Sequence, residues 1–83
     1  MKVDLQKGFA LINDNDIESA KKYFIDLLNI DNENSLIYSG IATCYELTKD
    51  LDKAIEYINK AISYDKENYL ALRKFVQKNI KGI

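Results

Sequence analysis

Residues 50–68 read DLDKAIEYINKAISYDKEN, and 34 positions earlier residues 16–34 read DIESAKKYFIDLLNIDNEN. Superposed at that offset, Asp16, Ala20, Tyr23, Asp31, Glu33 and Asn34 fall on Asp50, Ala54, Tyr57, Asp65, Glu67 and Asn68. Ile17, Phe24 and Leu28 fall on the apolar Leu51, Ile58 and Ile62, and Gly8 falls on Ala42. A fixed period of this size is the mark of a stacked array, in which each unit carries an apolar flank that only its neighbour can cover. Helix propensity alone accounts for alanines in such a run, but not for their return after 34 residues.

Outward from this pair, the whole chain reads as helix. It has no proline, and its glycines are Gly8, Gly40 and Gly82, so only polar clusters interrupt the apolar periodicity. The clusters NDND (13–16), DNENS (31–35), TKD (48–50) and DKEN (65–68) divide it into five helices, about 2–13, 17–30, 35–47, 51–64 and 69–81. Asp16, Asn34 or Ser35, Asp50 and Asn68 stand where an N-cap belongs, because their side-chain oxygens can accept from first-turn amides. Links this short make neighbouring helices antiparallel.

A 34-residue helix-turn-helix period resembles the tetratricopeptide repeat (TPR) family. Residues 35–68 carry the likeness best, with Tyr38 at the family's tryptophan, Ile41 at its leucine, Ala42 at its glycine, then Tyr45, Ala54, Ile58 and Ala61. Asn32 and Lys66 replace the family's proline, and in residues 1–34 the first helix departs most, with Asp4 and Lys7 where large apolar residues are usual. The resemblance implies an all-α fold, an alpha-alpha superhelix or TPR-like solenoid of five antiparallel helices. It would comprise repeat 1 (1–34), repeat 2 (35–68) and a capping helix (69–83) with Tyr69, Leu72, Phe75 and Val76 turned inward. In that fold Gly8 opposes Ala20, Ala42 opposes Ala54, and Ala61 thins the second helix where the next must lie.

Composition excludes several functions. With 83 residues there is one small domain, and 47% apolar with 30% charged residues describes an ordinary globular chain. No run is long enough to span a membrane and the N-terminus lacks the pattern of a signal peptide, so the expected location is cytoplasmic. There is no histidine, no Gly-rich phosphate loop and a single cysteine, Cys44, so no catalytic residue, metal site or cofactor is expected. Cys44 lies in IATCYEL near the apolar face and reads as a buried filler, not a reactive thiol.

The family resemblance implies a non-catalytic scaffold whose stacked first helices line a concave groove for a peptide or helix of a partner protein. The groove residues it implies are Leu5, Phe9 and Ile12 from the first helix, Leu36, Ser39 and Thr43 from the third, and Leu70, Arg73, Lys74 and Gln77 from the fifth. Lys2, Gln6, Asn13, Gly40, Glu46 and Leu47 would show on the same groove side. Leu5, Phe9 and Ile12 form a stripe that would serve partner binding or a homodimer. Alternatively the first helix is rotated and the three point into the core, since Asp4 and Lys7 leave it few other inward residues. Some family members clamp a chaperone's C-terminal carboxylate, but at those positions this chain has Leu5, Phe9, Gly40, Leu70 and Lys74, of which only Lys74 fits. Residues 69–83 carry +4 and residues 1–68 carry −5. The basic end suits an acidic protein partner, and four charges without aromatic interleaving argue against nucleic acid.

Overall fold

Each helix begins behind a side-chain oxygen. The computed structural model describes residues 4–67, and these form four helices: α1 (Leu5–Asn13), α2 (Ile17–Leu27), α3 (Ser35–Leu47) and α4 (Leu51–Tyr64). Asp4, Asp16, Asn34 and Asp50 accept from the amides of Gln6, Ser19, Leu36 and Lys53, so each cap satisfies a first-turn donor that has no partner within its helix. Of the two candidates at 34 and 35, the cap is Asn34. The first helix starts at Leu5 and not at residue 2, because Asp4 is its cap and has extended backbone. Asp4 thus fills a capping position, which explains why it is not apolar. Its carbonyl also accepts from the Tyr23 hydroxyl at 2.7 Å, tying α2 to the head of α1.

The α1–α2 and α3–α4 turns are the same structure repeated. Asn15 (φ 64°) and Lys49 (φ 68°) are both left-handed, 34 residues apart. In the first turn Asp16 N donates to Leu11 O and Asn15 N to Ile12 O. In the second Asp50 N donates to Tyr45 O and Lys49 N to Glu46 O, all at 2.9–3.1 Å. This is the six-to-one and five-to-two bonding of a Schellman ending, and the residue that completes it also caps the next helix. Left-handed backbone costs a non-glycine residue about 1–2 kcal/mol, less for asparagine. Lys49→Gly is therefore expected to stabilise the fold by about 1 kcal/mol, raising Tm by roughly 4–8 °C, with Asn15→Gly giving less. Calorimetry of the two variants checks both the sign and the order.

Helix α2 ends at Leu27, short of the expected residue 30. Asn29 N and Ile30 N bond to the carbonyls of Asp26 and Leu27, so the chain stays coiled with a tightened last turn where the family's proline would stop it. Tyr38 then anchors that loop, its hydroxyl donating to Asn32 O at 2.6 Å. After α4, Asp65 is extended and helical backbone resumes at Lys66 and Glu67, ahead of the cap suggested at position 68. The expected fifth helix, 69–81, lies outside the described residues.

Packing is serial: α1 lies on α2, α2 on α3 and α3 on α4, while α1 also touches α3. Phe24 of α2 sits at the centre, fully buried among Ile12, Ala20, Leu27, Ile37, Ile41 and Cys44. Its ring occupies the space left by two glycines. A Cβ on Gly40 would lie 2.7 Å from Phe24 Cζ, and one on Gly8 would lie 2.7 Å from Phe24 Cε1. Gly8 therefore makes room for Phe24 more than for Ala20, and Gly40, expected beside the groove, is buried against the same ring. Ala20, Ala42, Ala54 and Ala61 are all buried, and Ala61 receives Tyr38 of α3.

Candidate functional site

The first helices of the two hairpins, α1 and α3, touch each other, and the face they share is where a groove is expected. On α1, Ile12 is buried in the core, and Leu5 and Phe9 are half-buried and packed against it. The Phe9 ring lies 5.0 Å from that of Phe24, tilted by 59°. Of the two rotations open to the first helix, the stripe Leu5, Phe9, Ile12 takes the inward one. Gln6, Lys7, Ala10 and Asn13 are what α1 exposes.

On α3, Leu36 is half-buried, whereas Ser39 (1% exposed) and Thr43 (2% exposed) are closed off from solvent. Thr43 Oγ1 donates to Ser39 O at 2.9 Å, and Ser39 Oγ has no hydrogen-bond partner among the described residues. Of the residues expected at the groove, those a partner can reach on these two helices are Leu5, Gln6, Phe9, Asn13 and Leu36, with Glu46 and Leu47 half-buried at the far end of α3. Lys2, Leu70, Arg73, Lys74 and Gln77 lie outside the described residues.

Two features went unread in the sequence. Tyr45, Tyr57, Tyr38 and Tyr64 form one continuous stack between α3 and α4, with successive centroids 5.6, 6.2 and 5.4 Å apart and interplanar angles under 30°. Lys21, ion-paired to Glu18 at 3.3 Å, lies over the Tyr45 face at 4.8 Å. The second feature is apolar surface on the opposite helices: Ile25 and Ile30 near α2, and Leu51, Ile55, Ile62 and Tyr64 on α4. The spacing of 51, 55 and 62 was legible as a helical stripe, but the same spacing also fits a core face.

Cys44 is fully buried, as its neighbours in sequence suggested. Loss of solvent pushes its thiol up to about 12, a rise that the Lys21 charge only partly offsets. A thiol so placed holds almost no thiolate at neutral pH, so the native protein is expected to resist iodoacetamide at pH 8 and to label fully in urea. The same shift makes stability depend on pH. The unfolded thiol ionises near pH ~8.5, so this contribution is fully present below that pH and drains away as pH rises toward 12. Burial likewise holds the Tyr38 and Tyr57 phenols above their ordinary value, which acts in the same direction. Urea midpoints at pH 7 and pH 10 measure the loss.

Among the described residues no helix is long and apolar enough to cross a membrane. A family model described as tetratricopeptide repeat matches residues 11–75. A TPR repeat-containing protein of Methanocaldococcus jannaschii is 35% identical over 60 residues, a stretch that covers 72% of this chain and 11% of that protein. The chain therefore spans about a tenth of that relative's length. No solved structure matches.

Proposed function

Because the chain belongs to the tetratricopeptide repeat family, we propose that it is an interaction module taking an extended or helical segment of a partner protein along the shared face of α1 and α3. Repeats of this family generally mediate protein-protein interaction and act as non-catalytic scaffolds. The observation that carries the reading is the contact between α1 and α3, with Leu5, Phe9 and Leu36 left half-buried on these two helices. Half-buried apolar residues among exposed polar ones suit a surface that gains from being covered yet tolerates water. Ser39 and Thr43 are buried and serve as the floor; Leu70, Arg73, Lys74 and Gln77 extend the proposal to the basic end, where acidic groups of the partner would sit.

Selection from a random peptide library followed by NMR titration tests the proposal. Peptides with apolar anchors and acidic residues are expected, shifting amides of α1 and α3, and Leu36→Glu should weaken them at least tenfold, about 1.4 kcal/mol, with Tm unchanged. Absence of any binder, or shifts confined to α2 and α4, would overturn it.

A further inference from the structure

Four of the chain's six tyrosines stand in one file, Tyr45, Tyr57, Tyr38 and Tyr64, and their rings meet face to face at 19°, 26° and 16° in that order. The other aromatic contacts differ: Phe9 and Tyr23 meet Phe24 at 59° and 67°. Offset-stacked and tilted pairs both pack well, so packing alone does not call for three near-parallel pairs in a row. The file has two unlike ends. Tyr45 is half-buried with the Lys21 ammonium 4.8 Å over its face, whereas Tyr64 is 45% exposed at the end of α4. The chain has no tryptophan, and Cys44 is fully buried with its proton held. Tyrosines are therefore the side chains among residues 4–67 that give up an electron most readily.

We infer that this file is a relay that carries an oxidising equivalent from the Tyr45 end to Tyr64, where it reaches solvent. A one-electron oxidant of the peroxyl-radical class takes an electron at Tyr45 and becomes a peroxide anion, which picks up a proton from water. Tyr57 refills Tyr45, Tyr38 refills Tyr57, and Tyr64 refills Tyr38. Tyr64 then gives its phenol proton to water and is left as a neutral phenoxyl radical, and a diffusible thiol restores it by giving up a hydrogen atom. The surroundings set the direction. The Lys21 charge opposes positive charge on the Tyr45 ring, and Lys60, 6.0 Å over the Tyr38 ring, does the same there. The Tyr38 hydroxyl donates to Asn32 O at 2.6 Å, and a peptide carbonyl is too weak a base to keep the proton. Of the four, Tyr64 alone is exposed and can release its proton to water.

The test uses the full chain with Lys22→Cys, an exposed position beside Lys21, joined to a thiol-reactive ruthenium(II) polypyridyl; the buried Cys44 does not take the label. Flash oxidation to ruthenium(III) supplies the one-electron oxidant, and a nitroso spin trap with peptide mapping reads where the radical ends. The relay predicts an adduct on Tyr64 in a yield independent of protein concentration. Tyr57→Phe keeps the ring but removes the oxidisable phenol, so a hop must skip one site and the Tyr64 adduct should fall roughly tenfold or more. Tyr38→Phe repeats the comparison at the next site, and Tyr23→Phe, outside the file, should leave the yield unchanged. An adduct confined to Tyr45 overturns the inference. So does a Tyr64 adduct that both substitutions in the file leave undiminished, or one that grows with protein concentration, because the oxidant would then reach Tyr64 directly.

Discussion

Phe24→Ala is expected to lower stability by about 3–5 kcal/mol. A chain of 83 residues at about 0.05–0.15 kcal/mol per residue has about 4–12 kcal/mol in all, so the variant should lose a large share of its stability. The ring touches both hairpins, filling the gap between Gly8 of α1 and Gly40 of α3 while meeting the Phe9 ring at a tilt. Its removal opens a cavity at the junction of the repeats, and two glycine-bearing helices cannot close it with side chains they lack. Urea denaturation with Ile58→Ala beside it gives the scale. Ile58 holds the same place in the second repeat but is only half-buried, so its truncation should cost clearly less. Equal losses would mean that Phe24 is not the pivot of the stack.

The second large effect comes from filling the glycine space. In an exposed helix Gly→Ala gains about 1 kcal/mol. At Gly8 and Gly40 the new methyl would enter the Phe24 ring, and overpacking of this kind costs about 1–3 kcal/mol. Either single change lets the ring shift toward the other glycine. Gly8→Ala with Gly40→Ala removes both escapes, so the double variant should lose more than the sum of the singles. Adding Phe24→Leu should recover part of that loss, because the smaller side chain frees the space. Urea midpoints across this set decide the point, and strict additivity would show that the two glycines do not share one ring.

The groove illustrates how far side-chain pattern carries. Leu5, Phe9 and Ile12 recur at helical spacing, which says that they share a face but not which way that face turns. Asp4 and Lys7 offered a clue, since a helix with so few other apolar residues must use those it has. Ser39 and Thr43 are groove residues by the family resemblance, yet both are buried, one with a hydroxyl that finds no partner among the described residues. Hydroxyls are small enough to be enclosed when neighbouring helices come close, and closeness is not written in residue type. The two left-handed positions were missed for a related reason. Asparagine and lysine stand where glycine would have announced the turn, and only their shared 34-residue spacing marks them.

The sequence by itself determined the period and the starts of α2, α3 and α4, and the family resemblance added the burial of Ala20, Ala42, Ala54 and Ala61. Capping bonds and backbone ladders form between groups a few positions apart, and the repeat writes the turn and cap at Asp16 again at Asp50. What the tertiary structure alone decided is the rotation of α1 about its axis, the seating of one phenylalanine between two glycines from different repeats, and the stacking of four tyrosines across α3 and α4. Those depend on contacts between residues distant in the chain, where many weak interactions compete and no single spacing names the winner.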